Sequence, residues 1–277
     1  MKKLNVLLGV ILIGVLVSAC ATQNKVSVAE TTETVEEVKK FVVGFDAEYP
    51  PYGYLGEDGK SYEGFDLDLA REFCKRKGYE FVAQPIDWDS KDLELNSGNI
   101  DCIWNGFTVT GRENDYTWTF PYVDNSIVLV VRSDSGINTK SDLSGKTVMV
   151  QAGSSGLAAL ESEENKEFVS TLKKVEQCPD YNTAFMNLES GVVDAVCVDI
   201  GVAKYKLKSE DGKYAMLDEN VSTEQYAVGF KKGNKELRDE VEKCLSDMWK
   251  DGTFSQIANK YVSYSLTDMI CIGDYVE

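Results

Sequence analysis

Two aspartate-led runs hold the residues of this chain whose types and spacing could do chemistry. Asp101 to Arg112 reads Asp-Cys-Ile-Trp-Asn-Gly-Phe-Thr-Val-Thr-Gly-Arg, and Asp194 to Asp199 echoes its start. Each follows a Ser-Gly-x-[Ile/Val]-Asp lead-in, Ser97 to Asp101 and Ser190 to Asp194, and five residues past the aspartate stand Gly106 in one and Asp199 in the other. Asp199 offers an anion. Arg112 offers a planar fork that can take a carboxylate through parallel N–H bonds. A zwitterion needs one of each, so a ligand held by both residues would bridge two similar half-molecules.

The elements that must position these residues alternate. Phe41 to Phe45 is an expected strand, Glu48 to Tyr54 a turn crowded with aromatics and prolines, and Asp66 opens a helix whose apolar face is Leu69, Ala70, Phe73 and Cys74. Lys75 to Lys77 suit that helix's carboxyl end, and Gly78 stops it. Tyr79 to Ile86 (strand), Asp89 to Ser97 (helix) and Ile100 to Asn105 (strand) complete a β-α-β-α-β run. After Val128 to Arg132 the grammar restarts: strands at Lys146 to Gln151, Lys174 to Cys178 and Val193 to Val198, helices at Gly156 to Glu163 and Tyr181 to Glu189. Tyr226 to Phe230 reads as a strand returning to the first half, followed by helices at Glu236 to Trp249 and Phe254 to Tyr261. This predicts an α/β protein of two lobes, each an open, mainly parallel sheet flanked by helices. Residues 41–125 and 226–277 make lobe 1 and 126–225 lobe 2, with hinge crossings near Asn125 to Val128 and Thr223 to Tyr226. Ligands of open α/β sheets sit beyond the carboxyl ends of the strands. Those ends carry Asp46, Trp88, Gly106, Gln151 and Asp199.

Composition removes many alternatives. The chain has no histidine, which excludes a Ser-His triad, a histidine metal site and an imidazole shuttle. Its formal charge of −17 argues against nucleic acid as a partner. Asp66 and Asp68 sit where a helix dipole favours carboxylates, and no metal or other cofactor is expected. Lys2 and Lys3, an apolar run to Val17 and small residues at Ser18 and Ala19 read as an export signal over residues 1–19, too short to span a bilayer comfortably. Residues 20–40, rich in Thr, Glu and Val, read as a flexible tether. Of the six cysteines beyond Cys20, Cys102 and Cys197 read as buried thiols, and Cys244 with Cys271 is the pair to test first for a disulfide.

Several motifs in order resemble the polar amino acid receptors of ABC importers, of the glutamine-binding and lysine/arginine/ornithine-binding type. They are Phe45-Asp46-Ala47-Glu48-Tyr49-Pro50-Pro51-Tyr52, Gly64-Phe65-Asp66-Leu67-Asp68-Leu69, Gly106-Phe107-Thr108-Val109-Thr110, Pro121-Tyr122, Leu143-Ser144-Gly145-Lys146, Ala152-Gly153-Ser154-Ser155 and Asp194-Ala195-Val196. Val17-Ser18-Ala19-Cys20 resembles the bacterial lipobox, which implies acylation of Cys20. The family resemblance implies a two-lobed, periplasmic-binding-protein-like type II fold. It further implies that Gly106 offers a carbonyl and Thr108 a hydroxyl and N–H to the ligand, that Arg112 grips the α-carboxylate, and that Asp199 pairs with the α-ammonium. The family's usual Thr-x-x-Arg is here Thr110-Gly111-Arg112, one residue shorter, while the distance from Arg112 to Trp118 and Pro121 is kept.

Gly153-Ser154-Ser155 can present N–H groups to the same carboxylate, or Ser154 or Ser155 can simply cap the next helix. Asp199 has a similar alternative as cap of a helix from Ile200. Tyr49 and Trp88 stand like the family's two aromatic walls, with core packing as the other reading. Asp46 and Gln151 complete the expected surround of the ligand side chain, Asp46 accepting from a distal amide or ammonium. The expectation is a non-enzymatic, monomeric receptor outside the cytoplasm, held to the membrane by lipid on Cys20. It would take a free L-amino acid, basic or amide-bearing, and deliver it to an ABC permease and its ATPase. A cyclohexadienyl dehydratase-like enzyme and a ligand-sensing module of a signalling system are the alternatives on the same fold. The tail from Tyr264 to Glu277 lies past the resemblance.

Overall fold

Strand Val123–Arg132 runs through the middle of the architecture, and its alternation shows why. Ile127, Leu129 and Val131 pack on one side with Val148, Val150 and Cys197, while Val128 and Val130 pack on the other with Val196 and Val198. Successive strand residues face opposite ways, so the run from Ile127 to Val131, apolar at every position, must be covered on both faces. The computed structural model describes residues 38–276. The expected export segment, Cys20 and nearly all of the expected tether lie outside the described residues.

Two open sheets make the two lobes. The first has the order Glu80–Pro85, Lys40–Phe45, Cys102–Ile103, Gly229–Phe230, Thr117–Trp118, parallel over its first three strands and antiparallel where the returning chain inserts. The second has the order Lys174–Cys178, Thr147–Gln151, Ala195–Asp199, Val123–Arg132, Tyr214–Met216. Its first three strands are parallel, and Val123–Arg132 runs against its neighbours because it enters from the other lobe. Helices flank both sheets, as the type II two-lobed fold requires. Among the described residues, no helix is long and apolar enough to cross a membrane.

The first long helix forms where the sequence calls for it. Phe65–Lys77 starts with Asp66 and Asp68, ends with Lys75, Arg76 and Lys77, and stops at Gly78, whose φ of 74° is left-handed. Its Leu69, Ala70 and Phe73 are fully buried, each large apolar side chain contributing about 1.5–3 kcal/mol.

The single strand expected over Tyr226 to Phe230 is divided. Ser222–Tyr226 pairs with Val123–Arg132, Val123 opposite Tyr226, whereas Gly229–Phe230 joins the first sheet. One strand cannot serve two separate sheets without turning between them, and Ala227 and Val228 make that turn, held by Phe107 O and the Thr119 hydroxyl. The antiparallel pair Val123–Arg132 and Ser222–Tyr226 is thus the double crossing between lobes. A short helix at Lys166–Thr171, with no buried residues, carries no periodicity that a sequence reading could detect.

The pair named to test first for a disulfide, Cys244 and Cys271, is not bonded. All six described cysteines are free and buried, Cys244 against the helical layer and Cys271 beside the crossing strands. The tail, given no role from sequence, packs where the first crossing begins and the second ends. Leu266 and Ile272 are fully buried, Cys271 N–H donates to Tyr122 O at 3.1 Å, and Ile270 bridges to Val123. Tyr275 stacks on Phe120 and donates its hydroxyl to Gln225 Oε1 at 3.0 Å.

Candidate functional site

The loop after strand Cys102–Ile103 is fixed by a buried acid. Gly106 has φ 53°, and a Cβ there would stand 2.7 Å from Tyr49 Cε1, so the loop admits only glycine. Its N–H donates to Asp66 Oδ2 at 2.5 Å while the Tyr122 hydroxyl donates to Oδ1 at 2.9 Å. Burial pushes the Asp66 carboxyl up to about 7, with the Gly106 and Tyr122 hydrogen bonds pulling the other way. Asp66 is therefore more than a dipole partner for its helix: it anchors the loop. Asp68, by contrast, lies at the surface with Arg71 and Lys260. Among the described residues no group of acids or thiols is arranged to hold a metal ion.

The strand ends then converge on one narrow cavity of about 10 Å³, lined by Tyr49, Trp88, Asn105, Gly106, Thr108, Arg112, Gln151, Ser154, Ser155 and Asp199. Every sequence-named ligand residue except Asp46 is on this wall. Asp46 stands one step back. It is tied by the Gln151 amide, which donates to Oδ2 at 2.6 Å, and by Glu48 N–H at 2.8 Å. With Glu48, Asp87 and Asp180 it lines an adjoining open cleft. Burial raises the Asp46 carboxyl, and the charges of Asp180 and Asp87 raise it further.

The cations lie together. Arg112 Nη2 donates to Gly153 O at 3.3 Å, and its guanidinium lies 5.4 Å from the Phe107 ring centre. Lys91, 5% exposed, donates to the same carbonyl at 3.1 Å and sits over Trp88. Burial lowers the Lys91 ammonium's affinity for its proton, and Arg112 adds to this. Arg112 and Lys91 belong to the first lobe and Gly153 to the second, so these bonds close the cleft.

Two buried carboxylates mark another part of the site. Asp199 Oδ1 accepts from the Tyr226 hydroxyl at 2.6 Å and from Asn125 Nδ2 at 2.8 Å, and Oδ2 accepts from Tyr181 at 3.4 Å. It stands at the N-cap position of helix Ile200–Ser209 but makes no side-chain capping bond, its carboxylate being turned to Tyr226, Asn125 and Tyr181 instead. Ser154 does cap its helix, accepting from Leu157 N–H at 3.1 Å. Glu224 Oε1 accepts from Thr108 at 2.6 Å, Asn125 Nδ2 at 2.8 Å and Ser155 at 3.0 Å. Tyr49 joins this network through the Tyr226 hydroxyl at 3.0 Å. Trp88 packs edge-on against Phe107, which makes its ring both wall and core.

Sequence reasoning missed Lys91, Asn105, Asn125, Tyr181, Glu224 and Tyr226. Asn125 and Glu224 fall inside the two expected crossings, and polar residues in a segment that must pass through the cleft are the cue that could have found them. Lys91 gives no such cue, being one more charge on an amphipathic helix.

Two lobes hinged on paired crossing strands, with a charge-lined cavity at their seam, define the class of two-lobed solute-binding proteins. The chain belongs to the bacterial extracellular solute-binding proteins, family 3, whose family model matches residues 41–264. It is similar to the L-cystine-binding protein TcyJ of Escherichia coli (strain K12), 30% identical over 236 residues that cover 84% of this chain and 86% of that protein. The arginine-binding extracellular protein ArtP of Bacillus subtilis (strain 168) is 30% identical over 265 residues, 94% and 98% of the two chains. Among solved structures, a substrate-binding protein of an ABC uptake transporter from Streptococcus pneumoniae with bound histidine superposes with a TM-score of 0.76 at 36% identity, covering 80% of this chain and 92% of that one.

Proposed function

We propose that this chain is the receptor of an amino acid ABC importer, clamping one free L-amino acid in the cavity between its lobes. Arg112, with Lys91 behind it, takes the α-carboxylate, and backbone N–H groups at Thr108 and Ser155 complete the grip. Asp199 takes the α-ammonium with the Gly106 carbonyl and the Thr108 hydroxyl. The observation that carries this reading is the separation of charge on one cavity wall, Arg112 bonded at Gly153 and Asp199 at Asn125, with Lys91 and Glu224 behind them. Tyr49, Trp88, Gln151 and Asp46 surround the ligand's side chain. The carboxylates of Asp46, Glu48, Asp87 and Asp180 beyond them favour a basic tip over an acidic one. The relatives named for cystine and arginine, and the structure titled with bound histidine, support a polar or basic ligand.

Closure is the useful step. Contacts from both lobes exist only when the cleft is shut, so the ligand shifts the population toward that form, and a permease can read it by shape. Residues 1–19 act as a signal peptide, lipid on Cys20 holds the mature monomer at the outer face of the cell membrane, and residues 20–40 tether it. Lobes of residues 41–125 with 226–277, and of 126–225, move against each other. A thermal-shift and calorimetric panel of L-arginine, L-lysine, L-ornithine, L-histidine, L-glutamine and L-cystine tests the reading. At least one should bind with a micromolar or tighter Kd; no response to any of them would remove it. The chain should release no aromatic product from prephenate or arogenate, and product formation would replace this reading by an enzymatic one.

A further inference from the structure

Glu224 stands on the second crossing strand, 8% exposed, and its three donors come from three places: Thr108 in the first lobe, Ser155 in the second and Asn125 on the crossing between them. The Asn125 Nδ2 group also donates to Asp199, so its two hydrogens are divided between two carboxylates. Among the described residues, every hydrogen-bond partner of this pair is neutral. The other titratable groups near it are Tyr49, Tyr52, Tyr181, Tyr226 and Cys197, all fully or nearly fully buried, with Arg112 on the same cavity wall. Two adjacent carboxylates that face only neutral donors cannot both ionise cheaply. One positive charge relieves them, and either a proton or an ammonium supplies it.

Resting on the proposed amino acid receptor, we infer that the ligand's ammonium replaces a proton that Glu224 and Asp199 hold between them, making Glu224 a positioning residue and binding a proton-releasing exchange. The proton leaves to solvent as the ammonium enters, so the charge of the pair's site is conserved. Burial, and then the charge of Asp199, push the Glu224 carboxyl up to about 7, which puts the exchange in the neutral range. Once ionised, Glu224 can only accept, so the Thr108 and Ser155 hydroxyls are committed to donating to it, as they do to Oε1 here. Their lone pairs are then free for the ligand. Glu224 thus acts on the ligand through two hydroxyls as well as through its charge.

Two arms test this. In the unliganded protein, side-chain carboxyl ¹³C shifts, with Glu224 assigned by its loss in Glu224→Gln, should show a group titrating near neutral pH; titration in the ordinary glutamate range overturns the inference. In the second arm, the tightest binder among L-arginine, L-lysine, L-glutamine and L-cystine is titrated calorimetrically at pH 7 in buffers of different ionisation enthalpy. The wild type should release up to about one proton, with affinity rising by as much as roughly tenfold per pH unit below the pair's pKa. Glu224→Gln should release almost none and lose the pH dependence. Buffer-independent heats in the wild type, or equal release in the variant, overturn it; a purely structural glutamate would alter stability and leave the proton count alone. If neither these four nor L-ornithine or L-histidine binds, the receptor reading fails, while the carboxyl titration still decides whether the pair holds a proton.

Discussion

Arg112 and Asp199 are the residues on which the proposed chemistry turns, and each is tied to neighbours that make its removal costly. Arg112→Ala and Asp199→Asn should each weaken amino acid binding by about 100-fold or more, the scale of breaking a desolvated charge pair. Calorimetry on both variants, with circular dichroism to confirm folding, checks this, and near-normal affinity in either would remove that residue from the site. Asp66 predicts a pH effect of its own. Its folded pKa of about 7 lies above the ordinary aspartate value, so the folded state holds a proton that the unfolded chain has lost between those values. The contribution to stability is full below the unfolded pKa and lost as pH rises through the folded one. Melting temperature should fall from pH 5 to 8, and Asp66→Asn should flatten that fall. At this scale most residues that close a strand were legible, because strand ends meet at a predictable place; Asp46 closes one too and yet stands behind Gln151. Lys91 was not legible, because burial of a charge depends on which distant segments cover it, and Asn125 and Glu224 were marked only by their place in the expected crossings.

Element by element, the strongly patterned pieces are where the residues place them. Lys174–Cys178 and Tyr181–Glu189 coincide with the spans expected from sequence, and Phe65–Lys77 differs by one residue at its start. Failures cluster where tertiary pairing overrules local pattern. The stretch from Ser222 to Phe230 is apolar and extended throughout its second half, yet it serves two sheets. The tail is irregular in sequence because it is built from short 3-10 turns whose reason is long-range, Leu266 and Ile272 filling the layer behind the crossings. Ile272→Ala should lower stability by about 2–5 kcal/mol, measured by denaturant unfolding, since the side chain is fully buried. A loss below about 0.5 kcal/mol, the range of surface changes, would mean that the tail is not part of the folded core.

For the molecule as a whole, the two-lobed plan and its hinge follow from the repeated β-α-β grammar, and the family match covers the same stretch. The crossings are only one antiparallel pair thick, Val123 to Ile127 against Ser222 to Tyr226. The tail grips both members of that pair, Cys271 and Ile270 on the first and Tyr275 on Gln225 of the second. A two-stranded ribbon alone twists softly; riveted by a third segment, it acquires torsional stiffness. Tyr275→Ala should therefore widen the distribution of interlobe distances, read by paired spin labels, and change how long a captured ligand stays. Residues 265–276, none of them lining the cavity, would in this way govern residence time.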